Sequence, residues 1–249
     1  MALPKIGCQL IVFGKKYNVE NDIEAILDTL QKAGYDSVEG GPEDAARYKP
    51  MLDARGLLYA GSHMAISSNP DIDALIEYSH AMGSTDICNS GLMKWGDLTL
   101  DDYREGIREL NEAGRRFRAA GIHLHYHNHE FEFQKIDGDK TGMDVLMEGF
   151  DPDACDLCVD VAWVKKGGED PAEYLKKHKE KIGYLHFKDF DDEGWTELGR
   201  GQMDFAPLIK LLPEMPRVRQ LVLEQDSTRN DAMESVTVSR KFLRDTFDY

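Results

Sequence analysis

Histidine stands at every second position of one short segment, IHLHYHNH (122–129). In a β-strand, neighbouring side chains point to opposite faces, so the imidazoles would share one face and the apolar side chains the other. Imidazole nitrogens bind transition metals and exchange protons near neutral pH. The spacing therefore predicts a strand with one face able to bind a metal ion or move a proton.

Three later segments each carry a polar side chain on the face opposite their apolar residues. These are Asp160 in DLCVDV (156–161), His186 in IGYLHF (182–187) and Glu224 in RQLVLEQ (219–225). A single inward His or Glu is usually a satisfied core residue, but burying four such groups without a cation would leave unpaired charge. We therefore predict one divalent metal ion bound by His127, Asp160, His186 and Glu224. Two imidazoles and two carboxylates suit Mn²⁺, our first expectation, or Co²⁺, Mg²⁺, Zn²⁺ or Fe²⁺.

Short β-branched or aromatic segments alternate with longer helical patterns along the chain. The predicted strands are 5–12, 36–39, 57–62, 86–90, 122–127, 156–161, 182–187 and 219–225, and the predicted helices are 20–33, 43–54, 71–82, 101–120, 141–149, 171–180, 205–212 and 231–246. Gly34 and Gly121 stand where a left-handed residue should end a helix, and Pro171 stands in a first helical turn.

Eight strand–helix units in 249 residues predict a single α/β domain, a closed (β/α)8 TIM barrel over residues 1–249. An open doubly wound sheet is the alternative, but no G-x-G-x-x-G opens the chain. Active sites of such barrels lie where the strands end, which is where all four predicted ligands fall. Glu39 ends strand two, and His63 follows strand three. We therefore expect these two residues to contact substrate hydroxyls or to return a proton.

Further substrate contacts are expected from the same end of the barrel. Lys188 would polarise an oxygen, bind an anionic group, or pair with Asp189 or another carboxylate. Trp163, with Trp195, would form a wall beside a sugar or would simply pack. Arg200, in the glycine-flanked segment LGRG, would contact a phosphate or a hydroxyl.

Charge and composition exclude several classes of function. The formal net charge of −16 disfavours binding to nucleic acid or to an anionic membrane surface. The chain has no apolar stretch of membrane-spanning length, and its start lacks a signal-peptide pattern, so we expect a cytoplasmic protein. Its expected partner is a small sugar or keto-sugar, and the sequence leaves a homo-oligomer open. Cys155 and Cys158 form a C-x-x-C that we interpret as two buried thiols.

The sequence resembles the xylose isomerase-like barrel superfamily of sugar phosphate isomerases and epimerases over essentially the whole chain. The segments that carry the resemblance are YHNHEFEF (126–133), CVDVAW (158–163), YLHFKDF (184–190), LGRGQMDF (198–205) and LVLEQD (221–226). The resemblance implies one divalent cation held by Glu, Asp, His and Glu at the ends of strands five to eight. Asp160, His186 and Glu224 match that pattern. The strand-five glutamate falls at His127, with Glu130 as the alternative ligand.

The resemblance also implies chemistry that begins with proton abstraction next to a carbonyl, through an enediolate that the metal stabilises. We expect catalytic roles for Glu224, His129 and His127. A metal-dependent sugar isomerase or epimerase is the first expectation. Ketose 3-epimerases, however, use two glutamates on opposite faces of the substrate, and His127 replaces one of them.

Two other classes of function remain open. The segment YHNH is also similar to inosose dehydratase-like and 3-keto-glycoside-processing relatives. This similarity implies a lyase that expels water or an aglycone from a keto-sugar, an inosose or a 3-keto-glycoside. The third class is a non-catalytic sugar-binding or DNA-repair protein on the same fold, and the charge of −16 weighs against DNA.

Overall fold

Eight parallel strands close into a barrel in the computed structural model, which describes residues 3–65, 71–92 and 97–249. The barrel strands are β1 (Lys5–Gln9), β2 (Ser37–Glu39), β3 (Leu58–Met64), β4 (Asp86–Ser90), β5 (His123–His127), β6 (Cys155–Asp160), β7 (Ile182–Phe187) and β8 (Gln220–Leu223). Each pairs in parallel with the next, and β1 closes the ring against β8, with Ile6 beside Leu221. The predicted (β/α)8 TIM barrel is confirmed.

Helices cover the outward faces of the strands and share one apolar core with them. They are α1 (Ile23–Ala33), α2 (Ala45–Asp53), α3 (Ile72–Met82), α4 (Leu100–Ala119), α5 (Gly142–Gly149), α6 (Val161–Lys166), α7 (Pro171–His178), α8 (Ala206–Leu211) and α9 (Ala232–Phe247). Local signals fix their ends. Gly34 ends α1 with a φ of 90°, Pro171 begins α7, and Thr99 forms a capping box with Asp102 at the start of α4.

At the C-terminal ends of two strands, β1 and β6, residues predicted as strand are helical, and the other strand bounds differ from the prediction by at most two residues. Residues 10–12 were expected to extend β1, but Leu10–Lys15 forms a 3₁₀ helix. Gln9 caps this helix, and its side chain accepts the N–H of Ile11. Val161 was expected to end β6, but it begins α6, because the Asp160 carboxylate caps that helix. In both cases a side chain at the strand end satisfies backbone donors and turns the chain away from the sheet.

Two short hairpins lie at the C-terminal end of the barrel, and the sequence analysis did not predict them. One pairs Lys135–Asp137 with Lys140–Thr141 after β5, and the other pairs Asp189–Asp191 with Gly194–Thr196 after β7. Both lie in connections that run from a strand to the next helix, where barrels of this type carry their functional loops. The second hairpin brings Trp195 towards the end of β7.

Inside the barrel, a small apolar layer separates the two ends. It consists of Ala60, Cys88, Cys158, Tyr184 and Val222. The four cysteines of the chain are buried free thiols and form no disulfide, which agrees with the interpretation of Cys155 and Cys158. Among the described helices, none combines the length and the apolar character that crossing a bilayer requires.

Candidate metal centre and active site

The C-terminal ends of four neighbouring strands bring four potential ligands into one group, here named the rim cluster. His127 ends β5, Asp160 ends β6, His186 lies near the end of β7, and Glu224 directly follows β8. Their ligand atoms all lie within 4.8 Å of one another, and all four side chains are buried. The structure therefore places together the four residues that strand alternation assigned to one face.

One carboxylate oxygen of Asp160 accepts hydrogen bonds from the backbone, and the other accepts none from the described residues. Oδ1 accepts the backbone N–H groups of Ala162 and Trp163 at 2.9 and 3.0 Å. Oδ2 has no hydrogen-bond partner among the described residues, and the Lys188 ammonium lies 3.7 Å from it. Burial raises the pKa of Asp160 to about 6, with Lys188 opposing and Glu224 reinforcing the shift. A buried carboxylate oxygen in this state is suited to a cation.

His127 supplies the strand-five member of the rim cluster. Its Nδ1 lies 3.8 Å from Cys158 Sγ. Burial lowers the pKa of His127 well below its usual range, and although Glu224 opposes the shift, neighbouring imidazoles reinforce it. The ring is therefore neutral, which is the form that binds metals. The group of mutually close ligand atoms contains His127 and does not contain Glu130.

Lys188 is a buried ammonium among carboxylates. Its Nζ lies 2.7 Å from Asp226 Oδ1, 3.3 Å from Glu224 Oε1 and 3.7 Å from Asp160 Oδ2, so its carboxylate partners are these three and not Asp189. Burial alone would raise the pKa of Glu224, but the charges of Lys188 and His186 hold it well below its usual range. Glu224 is therefore ionised at neutral pH.

A second polar group adjoins the rim cluster through His186. The Nδ1 of His186 hydrogen-bonds to Glu224, and its Nε2 lies 3.0 Å from Glu39 Oε2. Glu39 also accepts the Tyr184 hydroxyl at 2.7 Å and lies 2.7 Å from His63 Nδ1. Burial alone would raise the pKa of Glu39, but His186 and His63 lower it to about 2. Glu39 is thus an ionised carboxylate surrounded by donors.

His129 lies beside the rim cluster on the side of Trp163. Its ring stacks on Phe131, with centroids 5.3 Å apart and planes 8° apart. It lies 5.0 Å from the His127 ring and 5.6 Å from that of Trp163. Its backbone N–H donates to Glu132 at 2.7 Å, so Glu132 is engaged in holding the turn after β5.

Two tryptophans line the same region. The Trp163 and Trp195 rings meet edge to face at 4.6 Å, and the Lys188 ammonium lies 5.0 and 4.4 Å from their centroids. The Trp163 indole N–H is buried and has no hydrogen-bond partner among the described residues. These rings give the rim an apolar wall of two nearly perpendicular faces with one available donor.

Arg200 lies in the loop that follows the second hairpin. The Asp189 carboxylate orders this loop by accepting the backbone N–H groups of Gly199 and Gly201, each at 3.0 Å. The Arg200 side chain is half exposed and pairs with Glu197 at 3.3 Å. In the described part of the chain, no contact joins Arg200 to the rim cluster.

Sequence reasoning missed several residues that hold the site in place. The Asn128 side chain accepts the N–H of Asp160 at 3.0 Å and donates to its carbonyl at 3.3 Å, which ties the ends of β5 and β6 together. Tyr184 donates to Glu39 from inside the barrel. Tyr184 shares the inward phase of His186, so alternation could have identified it, whereas nothing in the sequence pattern points to the side-chain contacts of Asn128.

The donor set of the rim cluster fits a divalent cation. It offers a neutral imidazole at His127, an open carboxylate oxygen at Asp160, and an ionised Glu224 beside His186. A mixed imidazole and carboxylate set is typical of Mn²⁺, Fe²⁺, Co²⁺ and Zn²⁺ sites in proteins. The residues present therefore allow metal-assisted chemistry at this end of the barrel.

Residues 27–246 match the family model of xylose isomerase-like TIM barrels. One relative, the inosose dehydratase of Lacticaseibacillus casei, is 25% identical over 92% of this chain and 91% of its own. Among solved structures, a sugar phosphate isomerase/epimerase from Parabacteroides distasonis has a TM-score of 0.82 at 23% identity, covering 99% of this chain and 96% of that one. The IOLI protein with a bound zinc atom has a TM-score of 0.74 at 15% identity, with 97% of both chains covered.

Proposed function

We propose that this chain, which belongs to the xylose isomerase-like TIM barrel family, is a metal-dependent carbon–oxygen lyase. It would remove water from a cyclic keto-polyol of the inosose class. The observation that carries this proposal is the presence of His127 in the rim cluster. Ketose 3-epimerases use two glutamates to remove and return a proton, and in the rim cluster His127 replaces one of them, so that only Glu224 is left. The similarity to an inosose dehydratase over nearly the whole chain supports elimination as the reaction.

His127, Asp160, His186 and Glu224 would hold the cation, for which Mn²⁺ remains our first expectation. When bound, a divalent cation stabilises the negative charge that develops on a substrate oxygen as a proton leaves the neighbouring carbon. Asn128 keeps Asp160 in place through its two hydrogen bonds to the backbone of that residue. Three of the four ligands lie in the barrel strands, and Glu224 directly follows one.

Glu224 is the base in this proposal. It is ionised, and the Lys188 ammonium at 3.3 Å and the ring of His186 fix the direction of its carboxylate. It would accept the proton from the carbon next to the ketone. The electrons of that C–H bond form a carbon–carbon double bond as the C–O bond on the next carbon breaks.

His129 is the acid in this proposal. A departing hydroxyl needs a proton, and a protonated imidazole can donate one. His129 lies beside the His127 ring and is 16% exposed at its side chain, which leaves it accessible from the open end of the barrel. Proton transfer from His129 releases the hydroxyl as water, so the substrate loses one proton and one hydroxyl group in total.

Trp163 and Trp195 would wall the substrate. The buried Trp163 indole N–H has no partner among the described residues, and a substrate hydroxyl would satisfy it. The ammonium groups of Lys188 and Lys166 both lie near these rings, with Lys166 at 5.8 Å from the Trp163 centroid and 5.5 Å from the Trp195 centroid. A neutral polyol fits such a wall, since its C–H edges pack on the rings while its hydroxyls reach polar groups.

A sugar isomerase or epimerase is the second candidate, because it shares the first proton transfer. His63 favours it. The His186 ring has Glu224 on one side and Glu39 with His63 on the other, and the His63 side chain is 11% exposed. A group in that position would return a proton to carbon from the side away from Glu224.

Reaction in D₂O separates the two candidates. The metal-loaded protein is incubated with an inosose, with 3-keto-glucosides and with free ketoses, and the products are analysed by mass spectrometry. We expect loss of one water from the inosose and no isomer of any simple ketose, with Glu224→Gln as the inactive control. Deuterium gain at unchanged composition would establish an isomerase or epimerase, and loss of an aglycone would move the substrate to the 3-keto-glycosides. A protein that changes none of these compounds would support the non-catalytic binding class.

A further inference from the structure

Glu39 lies at the end of β2, outside the rim cluster, and contacts one of its members. Its side chain has no exposed surface. Oε2 lies 2.7 Å from the Tyr184 hydroxyl and 3.0 Å from His186 Nε2, and Oε1 lies 2.7 Å from His63 Nδ1. Because three donors from the protein already occupy its two oxygens, Glu39 has little capacity left for a substrate hydroxyl.

The His186 ring stands between two carboxylates. Its Nδ1 faces Glu224, in the rim cluster, and its Nε2 faces Glu39 on the other side. A neutral imidazole carries one proton, and a metal binds the nitrogen that lacks it. In the metal-free protein both His186 nitrogens face carboxylates, so each carries a proton. A cation in the rim cluster would displace the proton from Nδ1, while Glu39 keeps the proton on Nε2.

We propose that Glu39 is a positioning residue, which fixes the tautomer and the ring orientation of His186 so that Nδ1 is presented to a divalent cation in the rim cluster. This inference rests on the proposed metal-dependent function and extends it to the support of one ligand. A carboxylate in this outer position typically contributes roughly 10- to 100-fold to metal affinity.

Glu39 is itself held in place from two directions. Tyr184 reaches it from the apolar layer inside the barrel. His63 reaches it from β3, and the other ring nitrogen of His63 hydrogen-bonds to the Ser90 hydroxyl at the end of β4. The orientation of His186 therefore depends on a chain of contacts between strands, which leaves its carboxylate partner few alternative positions.

The chain offers a matched control for removal of this carboxylate. Asp86 is also a buried acid bonded to a histidine of the same barrel, with Oδ1 2.9 Å from His125 Nε2, but it lies at the N-terminal end. Asp86→Asn tests what the loss of a buried carboxylate–histidine pair does to metal binding when the histidine is not in the rim cluster. Glu39→Gln keeps the size of the side chain and removes its charge.

The experiment measures Mn²⁺ and Co²⁺ binding to chelated full-length protein by calorimetry, the visible absorption of the Co²⁺ form, and the thermal midpoint without metal. For Glu39→Gln we expect binding weakened by about 10- to 100-fold and a shifted Co²⁺ spectrum. Tyr184→Phe, which removes one donor from Glu39, should have a smaller effect of the same sign. Asp86→Asn should lower the thermal midpoint and leave affinity and spectrum as in the wild type.

Three results would overturn the role of Glu39. The first is unchanged affinity and spectrum in a folded Glu39→Gln variant. The second is an equal loss of affinity in Asp86→Asn, which would indicate general destabilisation. The third is two ions per wild-type chain with one lost in Glu39→Gln, because Glu39 would then be a ligand itself, together with His63 and His186. A wild-type protein that binds no divalent ion would instead refute the metal-dependent function on which the inference rests.

Discussion

Both ends of the barrel contain buried carboxylates beside histidines, but the charges of these carboxylates are balanced differently. At the N-terminal end, Asp86 lies 2.9 Å from His125 and 3.0 Å from Arg219, and Asp156 pairs with Arg217. Each buried carboxylate there has an arginine partner. We name these five residues the basal network.

The C-terminal end lacks such matching among its described contacts. One ammonium, Lys188, lies 3.7 Å from Asp160, 3.3 Å from Glu224 and 2.7 Å from Asp226. Glu39 depends on histidines and a tyrosine hydroxyl for its hydrogen bonds. Carboxylates therefore outnumber the fixed cations that contact them, and one oxygen of Asp160 is left without a hydrogen bond.

The Tyr184 ring lies between the two ends, 5.4 Å from the ring of His125 and 5.7 Å from that of His186. One strand, β5, sends His125 to the basal network and His127 to the rim cluster. These two histidines, two positions apart, thus have different surroundings. His125 belongs to a network in which arginines balance the carboxylates, and His127 belongs to a group of ligands that suits a metal ion. Charge balance, rather than residue type, distinguishes a stabilising end from a candidate active end.

Removal of a rim ligand should have the largest effect on metal binding. After chelation and reloading, the wild type should hold about one ion per chain. Asp160→Ala and His186→Ala should each lose most of it, with affinity reduced beyond the roughly 100-fold that loss of an outer partner can cost. Asp156→Ala, the matched change in the basal network, should keep the ion and lower the thermal midpoint.

Metal analysis and circular dichroism on the same samples check this prediction. Asp160 also caps α6, so its loss should cost about 1 kcal/mol of stability in addition, and the folded state must be verified. A full equivalent of metal in both rim variants would show that the two ends do not differ in this way.

The next comparison is between His127 and Glu130, which are three residues apart, and concerns their contributions to metal affinity. His127→Ala should weaken metal binding by at least about 10-fold, because it removes a neutral imidazole from the rim cluster. Glu130→Gln should leave binding within about 2-fold, since Glu130 lies outside that group. Calorimetric titration of both variants tests the ranking, and the reverse order would mean that the segment after β5 folds back over the metal.

The succession of eight strand–helix units was sufficient to predict the barrel. Alternation within the strands was sufficient to predict the common location of the rim cluster, because a period of two fixes which side chains face inward. Alternation could not separate His125 from His127, which share a face and differ only in height along the barrel. It also missed that Asp160 caps α6 and that Asp189 orders the 198–205 loop, since both roles depend on contacts with backbone N–H groups and not on the face of the strand that the side chain occupies. The engagement of Glu39 by Tyr184 joins residues 145 positions apart, and a single sequence contains no signal for it.

The smallest expected effect concerns stability at the basal end and its dependence on pH. Burial alone would raise the pKa of Asp86, but the hydrogen bond and charge of His125, with Arg219, lower it below its usual value. Asp86→Asn should therefore reduce the free energy of unfolding at pH 7 by about 2 kcal/mol, the typical worth of hydrogen bonds to a buried charged group. Asp101→Asn, at an exposed side chain, should change it by less than about 0.5 kcal/mol.

The sign of the pH dependence follows from the direction of the shift. A carboxyl whose pKa is lower in the folded state contributes stability that is complete above its unfolded pKa of about 3.9 and is lost as pH falls through the folded value. The difference between wild type and Asp86→Asn, measured by urea unfolding of metal-free protein, should thus stay constant from pH 7 to about pH 5 and shrink below pH 4. A difference that persists in acid would mean that Asp86 acts through packing and not through its charge. Loss of metal affinity in the same variant would mean that the two ends of the barrel act as one site, because the apolar layer around Tyr184 would then transmit the change.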